Sequence, residues 1–237
     1  MHFDQDGTYN LVYIAEDECG NTTLAERVVE VFTVRTVLYP DGTFIINEKS
    51  TDQASNESRH GGTATNVYIP FDPNGGRDVN KYIFASNAAR PWNNEVTNVT
   101  SVEVGSAIAP PSMNNWFSFM GNCEEMDLLN VDTSSVHNMR SLFRECSALV
   151  SLDLAHFDTS QVTNMDSMFS GCSALTTIYA SPMFDVTNVT SSDFMFSTAF
   201  QLVGGAGTAY NGNNPRDKTY ARIDNPPDAP GYFTAKA

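Results

Sequence analysis

An apolar pattern recurs four times in the second half of the chain. Apolar side chains stand at relative offsets 0, 3, 6, 7, 10 and 13, with one polar substitution, Ser192, in the last copy. The copies begin at Met113, Val136, Val162 and Val189, which are 23, 26 and 27 residues apart. Recurrence at a period of about 20–50 residues is typical of a stacked repeat protein. Spacings of three and four predict one short amphipathic helix in each copy.

A short apolar segment precedes each predicted helix, at residues 102–104, 126–128, 152–154 and 178–180. We interpret these segments as strands. A polar turn such as 132–135 then follows, rich in side chains that accept hydrogen bonds from the N–H groups at a helix start. The predicted fold class is therefore α+β, a short solenoid of strand–turn–short helix units over residues 99–203.

The flanking segments are predicted to be β-rich. Residues 8–34, within the N-terminal segment 1–34, predict a β-hairpin, because 9–14 alternate in an extended segment and 27–31 supply a return strand. Residues 35–98 contain a second hairpin around Pro40-Asp41-Gly42, whose residue types favour a tight turn. We expect 35–98 to close the N-terminal end of the repeats and 204–237 to close the C-terminal end, because terminal repeats must cover an exposed core.

The repeat words resemble a known family. The segment 157–165, Phe-Asp-Thr-Ser-Gln-Val-Thr-Asn-Met, and the segment 168–175, Met-Phe-Ser-Gly-Cys-Ser-Ala-Leu, are similar to the BspA-type leucine-rich repeat. Residues 131–149 match the same pattern. The resemblance implies a short leucine-rich-repeat solenoid from a bacterial surface protein, and similar modules occur in phage tails. It also implies adhesion to host matrix or to other cells.

The N-terminal hairpin carries a second resemblance. Asp6-Gly7-Thr8-Tyr9, Gly20-Asn21 and Arg27-Val28-Val29 are similar to the last two strands of bacterial surface immunoglobulin-like domains. This resemblance implies a partial domain and a cut through a longer surface protein.

Charge restricts the partners. The 237 residues carry a formal net charge of −15, which argues against binding nucleic acid or anionic lipid, since both attract Lys and Arg. No apolar run reaches the roughly 18–20 residues that a membrane helix needs. We expect no membrane insertion and a monomeric fragment. An extracellular location on a bacterial cell surface is expected from the resemblance, with a phage virion tail as the alternative.

Four cysteines raise the question of disulfides. Cys123, Cys146 and Cys172 share one position of the aligned repeat, and Cys19 lies apart. Neighbouring helices lie about 8–10 Å apart, whereas a disulfide needs Cα atoms within about 7 Å. We therefore predict a column of buried free thiols that pack as small apolar groups.

The central residue of each predicted strand faces away from the core, because side chains alternate along a strand. The four central residues are Glu103, Asp127, Asp153 and Tyr179. Together with the nearby Glu125 and His156 they form a surface that we call the predicted stripe. Three interpretations remain open: a surface for ligand recognition, a weak Ca²⁺ site, since Ca²⁺ prefers several oxygen ligands, and a solvated acidic face. We predict ligand binding, with no metal site and no cofactor.

The predicted function is a non-enzymatic adhesion module that binds a host matrix or cell-surface protein or glycan. The alternatives are a receptor-binding module of a phage tail and a structural spacer of a longer surface protein. An enzyme with a site in residues 35–100 is the hypothesis from another class. Its carboxylates are scattered without recognisable pairing, so no catalytic residue is predicted.

Overall fold

A computed structural model describes the backbone of residues 7–16, 22–31, 34–49, 66–68, 96–105 and 107–236, and the side chains of 38–46, 96–105 and 107–236. Ten strands are present in these residues: β1 Gly7–Glu16, β2 Thr22–Val31, β3 Val34–Leu38, β4 Thr43–Lys49, β5 Asn66–Tyr68, β6 Ser101–Val104, β7 Glu125–Asp127, β8 Ser151–Asp153, β9 Thr177–Ala180 and β10 Phe233–Ala235. A 3-10 turn spans Lys218–Tyr220. Cys19 lies outside the described residues, as does most of the segment 50–95.

The strands form three sheets. Strands β1 and β2 pair antiparallel, as the sequence predicted for residues 8–34. A five-stranded sheet has the order β5-β3-β4-β6-β7, and a three-stranded sheet has the order β10-β9-β8. Pairing is antiparallel around β3 and parallel from β4 onward. The repeats therefore lie one above the next as stacked coils, each adding one strand, and β7 and β8 belong to different sheets.

The predicted α+β fold class is wrong. Where four amphipathic helices were expected, the described residues form consecutive tight turns, and the fold is almost entirely sheet and turn. Within one coil, Leu142 donates its backbone N–H to Met139 O, and Cys146 donates to Phe143 O, each closing a turn of four residues. The apolar spacing of three arises from these turns.

Alternate N–H groups point to the next coil, which is why no helix forms in these described residues. In the second coil Met139, Ser141, Phe143 and Glu145 donate to carbonyl oxygens of the third coil at 2.7 to 3.0 Å. The chain enters the left-handed region of φ at two of these donors, Ser141 (φ 54) and Glu145 (φ 60). This alternation satisfies the backbone between coils, and a continuous helix has no such bonds to offer a neighbour.

The alignment of the first repeat also needs correction. Phe117 stacks on Phe143 with ring centroids 5.7 Å apart, and Phe143 stacks on Phe169 at the same spacing. Phe196 continues the stack at 5.5 Å. The turn-forming part of the first coil thus precedes the second by 26 residues, as side-chain bonds between these coils also show. The sequence alignment used 23 and placed Phe119 in the core, whereas that ring lies at the surface.

This shift changes the cysteine column. Cys146 and Cys172 occupy equivalent places, but Cys123 lies one turn further along its coil, and Met120 fills the column instead. The three thiols are nonetheless buried and free, as predicted. Two of them donate to backbone carbonyls of the preceding coil, Cys146 to Phe117 O at 3.1 Å and Cys172 to Phe143 O at 3.0 Å. These two thiols therefore hold neighbouring coils together.

The C-terminal segment covers the last coil. Strand β10 pairs in parallel with β9, matching Phe233 with Ile178. Tyr232 and Phe233 are buried, and their rings pack against Phe196 edge-on at 5.2 and 6.2 Å. Asp224 ties the surrounding loops together by accepting bonds from Ala206, Thr208 and Gly231. Tyr232 and Phe233 thus cover the C-terminal end of the aromatic stack in the core.

Candidate functional site

The predicted stripe is divided between two sheets. Glu103 lies directly opposite Asp127 in the pairing of β6 with β7, and Asp153 lies opposite Tyr179 in the pairing of β8 with β9. Val102 and Leu152, their neighbours in the strands, are buried. All four residues lie on the side of the strands away from the core. Because β7 and β8 belong to different sheets, the stripe has an N-terminal and a C-terminal half.

The N-terminal half borders an acidic groove, which we define by Asp41, Glu103, Glu125 and Asp127. Its volume is about 420 Å³, and Thr43, Ser101, Val102 and Met126 complete its lining. Strand β4 brings Asp41 to this place, because Thr43 pairs with Ser101 and the Asp41 turn immediately precedes it. Among the described residues that line the groove, four are carboxylates and none is cationic, so the groove attracts positive charge.

Two stripe carboxylates also have a structural role. The Oδ1 atom of Asp127 accepts the backbone N–H of Leu129 at 3.1 Å, and Asp153 accepts that of Ala155 at 3.1 Å. A carboxylate that bonds the backbone two residues on stabilises a turn. These aspartates therefore shape the chain where each strand ends.

The C-terminal half of the stripe is partly neutralised. Lys236 Nζ forms an ion pair with Asp153 Oδ2, because β10 adds beside β9 and Lys236 N bonds Ala180 O at 3.0 Å. Partial burial alone would raise the pKa of Asp153, but the bonds from Lys236 and Ala155 outweigh it and lower the pKa. This half presents an ion pair and Tyr179, whose exposed fraction is 37%.

His156 is committed to the backbone of the preceding coil. Its Nε2 atom lies 2.9 Å from Leu128 O, and a carbonyl only accepts, so Nε2 carries the proton. The ring also packs edge-on against Phe157 at 4.9 Å. Asn130 makes the equivalent bond one coil earlier, where its side-chain amide donates to Val104 O at 2.7 Å. His156 is therefore a positioning residue for the coils.

A second acidic column lies in the turns that follow the strands. Asp132, Asp158 and Asp185 each accept the N–H of the residue two positions on, at 2.8 to 2.9 Å. Hydroxyl and backbone bonds from Ser134, Ser160 and Thr187 lower the three pKa values. Among the residues that the structure describes, no group of three or more acidic, His or Cys side chains is arranged to hold a metal ion.

Sequence reasoning missed Asp41 and Lys236 as parts of the site. Both reach it through pairing between distant segments, with Thr100 donating its hydroxyl to Asp41 O at 3.0 Å across 59 residues. No local pattern signals such a contact. The turn role of Asp127 and Asp153 had a signal, since an aspartate at the end of a short strand favours an Asp-capped turn.

Comparison with protein families gives one match. Residues 111–220 match the family model described as "Mycoplasma protein of unknown function, DUF285". The matched segment begins within the first coil and ends at Tyr220 in the C-terminal segment, so it covers the turn-forming repeats. Searches of curated proteins and of solved structures each gave no significant match. No helix within the described parts of the chain has the length and apolar character needed to cross a membrane.

Proposed function

We propose that the chain is a non-enzymatic interaction module of a bacterial surface protein. The DUF285 match over 111–220 supports this, since that family is related in general to BspA-like surface repeats. A phage tail is the alternative location. The partner would be a host matrix or cell-surface protein, or a glycan, and the acidic groove favours a protein surface that carries Lys and Arg.

The observation that carries the proposal is the register of β6 with β7. It sets Glu103 beside Asp127, with Glu125 and Asp41 at the same groove. The rigidity of paired strands fixes the spacing of these carboxylates before any partner arrives, which lowers the entropic cost of binding. An acidic surface of this kind also accelerates encounter with a cationic partner.

A non-enzymatic role is supported by the other titratable groups. Catalytic groups are typically those whose pKa is displaced within a cleft. In the described residues the displaced carboxylates serve turns, an ion pair or the C-terminal loops. Burial raises the pKa values of Cys123 and Cys172 to about 12, so these thiols are poor nucleophiles.

A structural spacer is the second candidate. The turn bonds of Asp127 and Asp153 favour it, because they explain two stripe carboxylates without a ligand. A spacer would tolerate neutralisation of the groove as readily as neutralisation of the Asp132, Asp158 and Asp185 column.

The two candidates are separated by two triple variants. Glu103→Gln, Glu125→Gln and Asp127→Asn together remove three of the four carboxylates of the groove and leave Asp41. The last of these substitutions keeps an oxygen for the Leu129 N–H. The matched control combines Asp132→Asn, Asp158→Asn and Asp185→Asn, which removes the same charge from the turn column. Attachment of each protein to host cells and to matrix-coated surfaces is then measured.

We expect the groove variant to lose affinity about tenfold, since three exposed ion pairs of about 0.5 kcal/mol each add to about 1.5 kcal/mol. The control should attach as the unmodified protein does. Equal attachment by both variants at the unmodified level would favour the spacer instead.

A further inference from the structure

A surface pocket lies at the C-terminal end of the stacked coils, apart from the acidic groove. Its volume is about 600 Å³, within the range of about 300–1,000 Å³ typical of small-ligand sites. The lining consists of Thr198, Phe200, Ala209, Tyr210, Asn211, Gly212 and Arg216. We call it the terminal pocket. The last coil supplies one wall and the C-terminal segment supplies the other.

Two aromatic rings form a corner in the terminal pocket. Phe200 meets Tyr210 edge-on, with centroids 5.8 Å apart and an interplanar angle of 82°. Phe200 is nevertheless 64% exposed, so one face of its ring is uncovered. Tyr210 packs in turn on buried Tyr232 at 6.0 Å. The corner is therefore anchored to the core, and an uncovered aromatic face of this kind suits the C–H face of a sugar ring.

The polar groups of the terminal pocket suit the edge of such a ring. Asn211 uses its side-chain oxygen to accept the Asn213 N–H at 3.0 Å, which leaves its amide nitrogen to donate. The Thr198 hydroxyl donates its proton to Ser197 O at 2.6 Å, so its oxygen is left to accept from a ligand. Tyr210 adds a phenol hydroxyl, a group that both donates and accepts. The terminal pocket is thus lined by aromatic and small polar side chains, which suit a ligand that has both an apolar face and hydroxyl groups.

Charge refines the ligand class. Among the described residues that line the terminal pocket, Arg216 is the one cation and none is acidic. Its Nη2 atom donates to Gly212 O at 3.2 Å, which holds the side chain in place while other N–H groups of the guanidinium stay exposed. A planar guanidinium matches a carboxylate in geometry and charge. Such a site is unusual in a chain of net charge −15.

We propose that the terminal pocket binds a saccharide ring that carries a carboxylate, such as a uronic acid. The ring would stack on Phe200, and its carboxylate would pair with Arg216. This proposal goes beyond the interaction function of the acidic groove and does not rest on it, because the two sites differ in charge and place.

The test uses NMR titration of the full chain with glucuronate, with glucose as the neutral sugar and hippurate as an aromatic carboxylate without a sugar ring. Glucuronate should bind most tightly and shift the amide signals of Ala209 and Gly212. About 0.5 M salt should weaken glucuronate binding and leave glucose binding unchanged.

Variants locate the contacts. Phe200→Ala should weaken glucuronate binding roughly tenfold, and Arg216→Gln should do the same while sparing glucose. The matched controls are Phe194→Ala, another ring of the same coil at 66% exposure, and Arg140→Gln, an exposed arginine of the second coil. Both controls should bind as the unmodified protein does. Absent glucuronate binding, hippurate binding of equal strength, or binding unaffected by both pocket variants would overturn the proposal.

Discussion

The thiol of Cys172 donates a hydrogen bond of 3.0 Å to the backbone carbonyl oxygen of Phe143 in the preceding coil. Cys146 makes the same bond to Phe117 at 3.1 Å. Phe143 O already accepts the backbone N–H of Cys146 within its own coil, so the sulfur adds a bond between coils and also packs in the core. A side chain that both packs and donates explains why a cysteine suits this position better than alanine.

These thiols should resist modification in the folded protein. Burial raises the pKa of Cys172, and of Cys123, to about 12, so almost no reactive thiolate exists near neutral pH. Iodoacetamide at about pH 8, close to the pKa of a free thiol, should leave both residues unlabelled in native buffer and label them in guanidinium chloride. Peptide mapping by mass spectrometry measures both. Equal labelling with and without denaturant would contradict the burial of these thiols.

Asp224 should make the C-terminal segment sensitive to acid. Its carboxylate is buried, which alone raises its pKa, but bonds from Thr208, Gly231 and Ala206 outweigh burial and lower it. A lowered folded pKa contributes stability above the unfolded value of about 3.9, and that contribution is lost as pH falls through the folded pKa. Thermal unfolding should show this loss as pH falls below about 4.

The variant Asp224→Asn tests the same carboxylate at neutral pH. An amide nitrogen would face N–H donors, and we expect a loss of about 2–3 kcal/mol in the free energy of unfolding. Asp228→Asn, at an exposed position nearby, is the control and should change it by less than about 0.5 kcal/mol. Similar unfolding midpoints for the two variants would rule out this role of Asp224.

Two glycines of one loop should respond differently to alanine. A Cβ at Gly204 would collide with the backbone oxygen of Gly231 and with the side chain of Asp224, whereas a Cβ at Gly207 meets no atom within 4 Å. Gly207 has φ +98, so alanine there costs only backbone strain of about 1–2 kcal/mol. Gly204→Ala should cost about 3 kcal/mol or more.

Denaturant unfolding of the two alanine variants gives the comparison. If Gly204→Ala is as stable as Gly207→Ala, the close approach of the Gly231 backbone does not exist in solution.

Sequence reasoning identified the stacked repeats and the outward strand residues, because alternation along a strand is a local rule. It mistook turns for helices, since apolar spacings of three and four fit both. Ser141, Ser167 and Gly171 held the contrary signal, because small residues stand at these positions of positive φ, although Phe119 and Phe194 stand at two others. Polar residues of this kind weaken a helix interior.

The alignment error had a different cause. Matching Cys123 with Cys146 forced a spacing of 23, whereas matching Phe117 with Phe143 gives the spacing of 26 found between the coils. The alignment gave more weight to the identity of the two cysteines than to the match of the remaining repeat positions. The partners of the stripe, Asp41 and Lys236, come from segments distant in the chain, and only the pairing of strands reveals them.

Carboxyl labelling of the bound protein tests the central proposal most directly. A carbodiimide and glycine ethyl ester modify exposed carboxylates, and mass spectrometry compares the chain free and attached to host cells or matrix. We predict protection of Glu103, Glu125 and Asp127 on attachment, with Asp132, Asp158 and Asp185 labelled equally in both states. Protection of the turn column alone, or unchanged labelling of the groove in the attached protein, would contradict binding through the acidic groove.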